Sequence, residues 1–186
     1  LSTAPIIASH SSARALAPHP RNIPDDLLKR IAKNGGVVMV NFYPAYIDPR
    51  TSIILEQLQP EIDALRKQWT NQPARFRAER RKLMENKLPV TPLSVVIDHI
   101  EHVIKVAGID HVGLGSDFDG ISIVPADLRD VSMFPNVTYE LLKRGHSETD
   151  VKKILGENFL RVFAEVERRA TAKPDQISGG AVGKAR

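Results

Sequence analysis

Three short runs of aliphatic and β-branched residues, with almost no polar interruption, limit what this chain can fold into. They are "PIIA" at 5–8, "GVVMVNF" at 36–42 and "VGLGSD" at 112–117. A half-exposed strand alternates apolar and polar positions, whereas near-continuous apolarity marks strands covered on both faces, as in a parallel sheet. Helical patterns separate the runs. Residues 24–35 open on proline and two acids and close on glycine, the punctuation of a helix with a complemented dipole. Residues 92–108 carry an apolar stripe at Val96, Ile100, Val103 and Ala107, the spacing of a helix with one buried face. Strands alternating with helices predict βαβ units and a parallel α/β sheet.

The remaining segments complete this outline. Residues 137–144 follow the third run, and Ser147 with Asp150 opens a helix through Arg169, the pair resembling a capping box with Asp in place of the usual Glu or Gln. Its apolar positions are Val151, Ile154, Leu155, Phe159, Val162, Phe163 and Val166. Residues 50–91 are long, polar and helix-favouring, more than a crossover needs, and read as a helical insertion. Residues 171–186 mix Gly, Ala, Lys and Pro without periodicity and read as a flexible tail after one domain over 1–170. Three strands cannot close a barrel, and a typical eight-stranded one takes about 250 residues. With a non-methionine start directly ahead of the first strand signal, the expectation is the carboxyl-terminal portion of a (β/α)8 barrel.

Composition excludes several classes. No cysteine occurs among the 186 residues, so disulfides and thiolate metal sites are out and His, Asp and Glu are the available metal ligands. No apolar run approaches the length of a membrane span. The net charge of +4, from 26 basic and 22 acidic residues, is concentrated between Arg66 and Lys82. That stretch has Trp69 and Phe76 as its aromatics and no recognition motif, so a solvated insertion helix accounts for it better than nucleic acid binding.

Chemistry in α/β folds gathers where strands end. The first strand runs into Ser9-His10-Ser11-Ser12, the second into Asn41-Phe42-Tyr43, the third into Asp117-Phe118-Asp119-Gly120. At the strand mouth the imidazole of His10 can bind a metal or serve as a hydrogen-bonded structural group. Arg21, in the proline-stiffened "HPRN" loop, can fork onto a substrate carboxylate or make a surface ion pair. Asp117 is the better candidate for a site carboxylate, with Asp119 assigned to the turn that Asp-Gly favours. His99 and His102 share a helix face, as a ligand pair would, but the helix lies before the third strand, on the outside of the sheet. They are expected to form a polar helix face.

Taken together, "SHSSARAL…HPRNIPDDLL", "GGVVMVNFYPAYI", "HVGLGSDFDG" and "ILGENFLRVF", in this order from Pro5 to Glu167, resemble the membrane dipeptidase (renal dipeptidase) family of zinc peptidases. The insertion resembles that of bacterial members. The resemblance implies a (β/α)8 barrel with two zinc ions at its carboxyl face, hydrolysing dipeptides. It places one zinc ligand on His10, the contact to the substrate's terminal carboxylate on Arg21, a pocket residue on Tyr46, and on Asp117 a group at the active centre near the substrate's amino end and scissile bond. Other metal ligands of the family precede the matched motifs, so the expected partner is the amino-terminal half of the barrel; a homodimer is compatible with the sequence, and cytoplasmic or exported location is not fixed by it. Two other functions fit the residues: an interaction fragment using the basic insertion helix, and a barrel amidohydrolase for another amide or ester.

Overall fold

The structure, a computed structural model, describes residues 2–171, so the tail expected beyond Thr171 lies outside the described residues. Strands β1 (Ile7–Ala8), β2 (Val37–Asn41) and β3 (Val112–Ser116) form one sheet in the order β1-β2-β3. Both pairings are parallel, as the apolar runs predict. Helices α1 (Asp25–Lys33) and α5 (Leu93–Ala107) make the two crossovers and pack on each other and on β2. Their buried faces, Leu28 and Ile31 with Val96, Ile97, Ile100 and Val103, join Val38, Val40 and Val112 of the strands in one hydrophobic cluster.

Between β2 and α5 stand α2 (Pro44–Ile47), α3 (Pro49–Gln68) and α4 (Pro73–Lys87); the last two occupy the stretch expected to be an insertion. After β3 come α6 (Phe134–Lys143), α7 (Glu148–Lys152) and α8 (Asn158–Thr171). Ser147 and Asp150 form a reciprocal capping box at the start of α7.

Two expectations are corrected. The first strand is two residues long, and Ile6 and Ile7 are 40% and 36% exposed, because no helix among the described residues packs extensively on β1; it is not covered on both faces. The long helix from Ser147 is interrupted by a π-helical segment, Lys153–Glu157, with Gly156 outside helical geometry. Apolar spacing did not reveal this break. Asn158 explains what holds it: its side-chain amide donates to the carbonyls of Ile109 at 2.7 Å and Val112 at 2.9 Å, tying the break to the start of β3.

The sheet is irregular where it meets the loops. Val40 pairs with Leu114 but Asn41 pairs with Ser116, so Gly115 is an extra residue in β3. A Cβ at Gly115 would lie 2.6 Å from the carbonyl oxygens of both Met39 and Ser9, closer than any side chain tolerates. Only glycine lets the three strand ends come this near.

Candidate active site at the carboxyl ends of the strands

The loop after β1 is built before it is functional. Ser11 donates its N–H to Met39, Ser12 donates its buried hydroxyl to the carbonyl of Asn41, and Ala13 bridges to Ile23. These bonds hold His10 at the sheet mouth and fold the "HPRN" loop back over it. Arg21 Nη2 donates to His10 Nε2 at 2.8 Å. An arginine keeps its protons, so Nε2 is the acceptor and Nδ1, 2.8 Å from Ser9 Oγ, carries the imidazole proton.

Arg21 is set by its neighbours. His19 Nδ1 accepts from the Arg21 backbone N–H at 3.2 Å and its ring stacks on Tyr46 with centroids 4.2 Å apart. Burial, followed by the guanidiniums of Arg21 and Arg14, lowers the His19 pKa and keeps the acceptor nitrogen free. The Arg21 guanidinium carbon lies 5.9 Å from the Tyr46 ring centroid, within cation–π range. Buried Asn22 donates to the carbonyls of Ala17 at 2.9 Å and Tyr46 at 2.6 Å, fastening the loop to α2.

Asp117 arrives from β3 with Ser116 and itself at φ of 40° and 77°, a left-handed pair that costs non-glycine residues about 1–3 kcal/mol each. Three bonds hold it there: Asn41 Nδ2 donates to Asp117 Oδ2 at 3.0 Å, and the N–H groups of Gly120 and Ile121 donate to the Asp117 carbonyl. A Cβ on Gly120 would stand 2.3 Å from Asp117 Oδ1, so a larger residue here would displace the carboxylate from its present position. Phe118 points the other way, packing edge-on against Phe42 at 5.8 Å. The aspartates thus flank an aromatic anchor in the core.

Tyr46 and Asp117 line one cleft of about 330 Å³ with Tyr43, Asp119 and Gly120. The four residues singled out from the sequence form a chain of neighbours: His10 touches Arg21, Arg21 lies by Tyr46, and Tyr46 shares the cleft with Asp117. Asp119 is in the turn, as expected, and also borders the cleft. His19 and Asn41, which orient Arg21 and Asp117, were not singled out from the sequence, because each has a role set by residues far along the chain. Arg80, contributed to the same cleft by α4, was hidden in the basic run.

His99 and His102 do not form the solvent-facing polar surface expected of them. His99 is buried, accepting from the Ala13 N–H at 3.0 Å and bonding the Ile47 carbonyl through Nε2 at 3.0 Å. One ring therefore joins the β1 loop, α2 and α5, and burial lowers its pKa. His102 bonds Asp25 at 2.8 Å. Three of the seven basic residues of the run are ion-paired within their own helices, Arg66 with Asp63, Arg81 with Glu85 and Lys82 with Glu79.

Among the described residues, no group of three or more His, Asp or Glu side chains is placed to hold a metal ion. His10 is a chemically suitable single donor, but its Nε2 lone pair faces Arg21. These residues alone do not fit a zinc site, which takes three or four protein ligands. No helix among the described residues is long and apolar enough to cross a membrane.

A family model described as membrane dipeptidase (peptidase family M19) matches residues 1–176. The chain is 38% identical over 174 residues to dipeptidase aclJ of Aspergillus oryzae, covering 94% of this chain and 33% of that protein. Among solved structures, the probable dipeptidase PvdM of Pseudomonas aeruginosa superposes with a TM-score of 0.72 at 36% identity, over 91% of this chain and 46% of that one. A Rhodobacter sphaeroides metallo peptidase, liganded with a phosphinate mimic of the dipeptide L-Ala-D-Ala, gives 0.65 at 26% identity over 89% and 37%. Fungal and bacterial proteins both match, so the likeness is not specific to bacteria. The chain spans about a third of the length of the curated relatives it matches, and its three-stranded sheet is part of the α/β barrel these dipeptidases share. By its matched length, its sheet and its likeness to known dipeptidases, the chain belongs to the membrane dipeptidase family, peptidase family M19.

Proposed function

We propose that this chain supplies the substrate-reading part of a dipeptide-hydrolysing metalloenzyme. The observation that carries this reading is the line of groups from Arg21 past Tyr46 to Asp117, which offers one cation, one aromatic wall and one carboxylate at the strand mouths. A dipeptide has one negative end, one positive end and one amide between them. Arg21 receives the terminal carboxylate in a forked ion pair. Tyr46 covers the body of the substrate. Asp117, held acceptor-outward by Asn41, takes the ammonium end and stands beside the amide to be cut.

The reaction also needs an activated water, which two zinc ions supply when bound. This chain offers His10 toward such a site, and the other ligands belong to the part of the relatives' length that it does not span. Arg21 Nη2 donates to His10 Nε2, so the guanidinium would have to leave that nitrogen before His10 could serve as a ligand.

The test uses the complete protein that carries this chain, with Ala-Ala as substrate. Arg21→Ala should raise KM, with a loss of roughly 2–5 kcal/mol in transition-state binding, the range for deleting one partner of a buried charge pair, and Arg21→Lys should recover part of it. Dipeptide kinetics unchanged by Arg21→Ala would overturn the clamp, and a zinc-loaded protein that leaves dipeptides intact would overturn the assignment.

A further inference from the structure

Helix α4 brings a guanidinium to the cleft that the two aspartates border. Arg80 lines it opposite Asp117 and Asp119, half-buried, and makes no hydrogen bond or ion pair among the described residues. Along the same helix Arg75 lies over Trp69, Arg81 pairs with Glu85 and Lys82 with Glu79, while Arg77, also without a partner among the described residues, is exposed; Arg80 is the unpaired one that borders the cleft. The cleft carboxylates Asp117 and Asp119 lie beyond ion-pair distance of the Arg80 guanidinium, so its donors are left open to water or to an anionic ligand.

Its position is fixed from one turn away. Met84, on the same helix face at i+4, is fully buried and receives the Ser122 hydroxyl at 3.9 Å. That contact holds α4 to the loop following the Asp117 turn, and Arg80, one turn earlier, borders the same cleft as Ser122. Tyr46 divides the site: Arg21 lies near its ring, while Arg80 shares the cleft with Asp117. Arg80 is therefore on the side of the substrate's amino-terminal residue.

We propose that Arg80 is a specificity-determining residue that receives an anionic side chain on the amino-terminal residue of the dipeptide. The inference rests on the dipeptidase reading above and deepens it: Arg21 reads the main-chain carboxylate common to all dipeptides, and Arg80 reads a second carboxylate present in those beginning with Asp or Glu. The cleft of about 330 Å³ that Arg80 borders with the two tyrosines and the turn is the space this side chain would enter.

The test compares Asp-Ala, Ala-Asp and Ala-Ala with the complete protein, by hydrolysis and by calorimetric binding to the metal-free form. Arg80→Ala should lower kcat/KM and affinity for Asp-Ala by roughly ten- to hundredfold, the span of a charge-assisted hydrogen bond, and leave Ala-Ala nearly unchanged. Arg80→Glu should turn the preference toward Lys-Ala. Equal losses for all three substrates, or a loss confined to Ala-Asp, would overturn the proposal. If the protein hydrolyses nothing yet binds Asp-Ala through Arg80, the dipeptidase reading fails and the anion site stands.

Discussion

Asp117 is held by residues with no acid–base chemistry of their own. Asp117 keeps its direction because Asn41 donates to one oxygen and Gly120 leaves space beside the other. Gly120→Ala tests this. The new methyl meets a carboxylate at 2.3 Å, and the carboxylate, being the softer partner, rotates off Asn41. Displacement by about an ångström can cost roughly a hundredfold in rate, so kcat/KM for Ala-Ala should fall on that order while the thermal midpoint changes little, since Gly120 is exposed and its backbone suits alanine. Unaltered kinetics would show that Asp117 does not need its present orientation. At this scale the sequence was legible where a motif concentrated chemistry in a few positions, as in "SDFDG". It was not legible where a partner came from elsewhere, as Asn41 does across 76 positions.

Among the elements, α5 does more than cover the sheet. Its His99 accepts from one segment and donates to another, which a protonated ring cannot do. Burial is the main cause of its lowered pKa, with His102 acting in the same direction and the Ile47 hydrogen bond and Asp98 opposing it. Below the ordinary value of 6.5 the unfolded chain takes up a proton that the folded one refuses. The contribution of His99 is thus complete above 6.5 and declines as pH falls from there toward its lowered folded value. Denaturant unfolding of His99→Gln and the parent at about pH 8 and about pH 5.5 should show a stability gap that narrows in acid; a gap independent of pH would remove this account. Helix spacing located α5 almost to the residue, because an apolar stripe is a local signal. It could not reveal the role of His99, since a histidine facing a loop and one facing water have the same spacing. Likewise the π segment is tied by Asn158 to the carbonyls of Ile109 and Val112 at the start of β3, contacts without local trace.

On the scale of the whole molecule, β1 is an edge strand and exposed apolar side chains are numerous. Ile6 and Ile7 lie at that edge, and α8 shows Leu160, Phe163 and Val166 at 61%, 49% and 38% exposure. Unpaired edges and apolar surface of this kind favour association. We expect the chain alone to bind a hydrophobic-surface dye, and co-expression with the remaining length of a family barrel to suppress that binding and raise the thermal midpoint. A chain that stays dye-silent alone, or is unaffected by the partner polypeptide, would contradict this. The parallel order of the sheet was readable from its apolar runs. Which strand stands at an edge was not, because edge exposure depends on what lies beyond the strand.

Gly115 carries a consequence for how such a protein can diversify. Two carbonyl oxygens press on it from neighbouring strands, so the floor of the mouth is shaped by main chain, and no choice of rotamer can widen or narrow it. Changes in substrate preference are therefore expected from the side chains that border the mouth, not from the main chain beneath them.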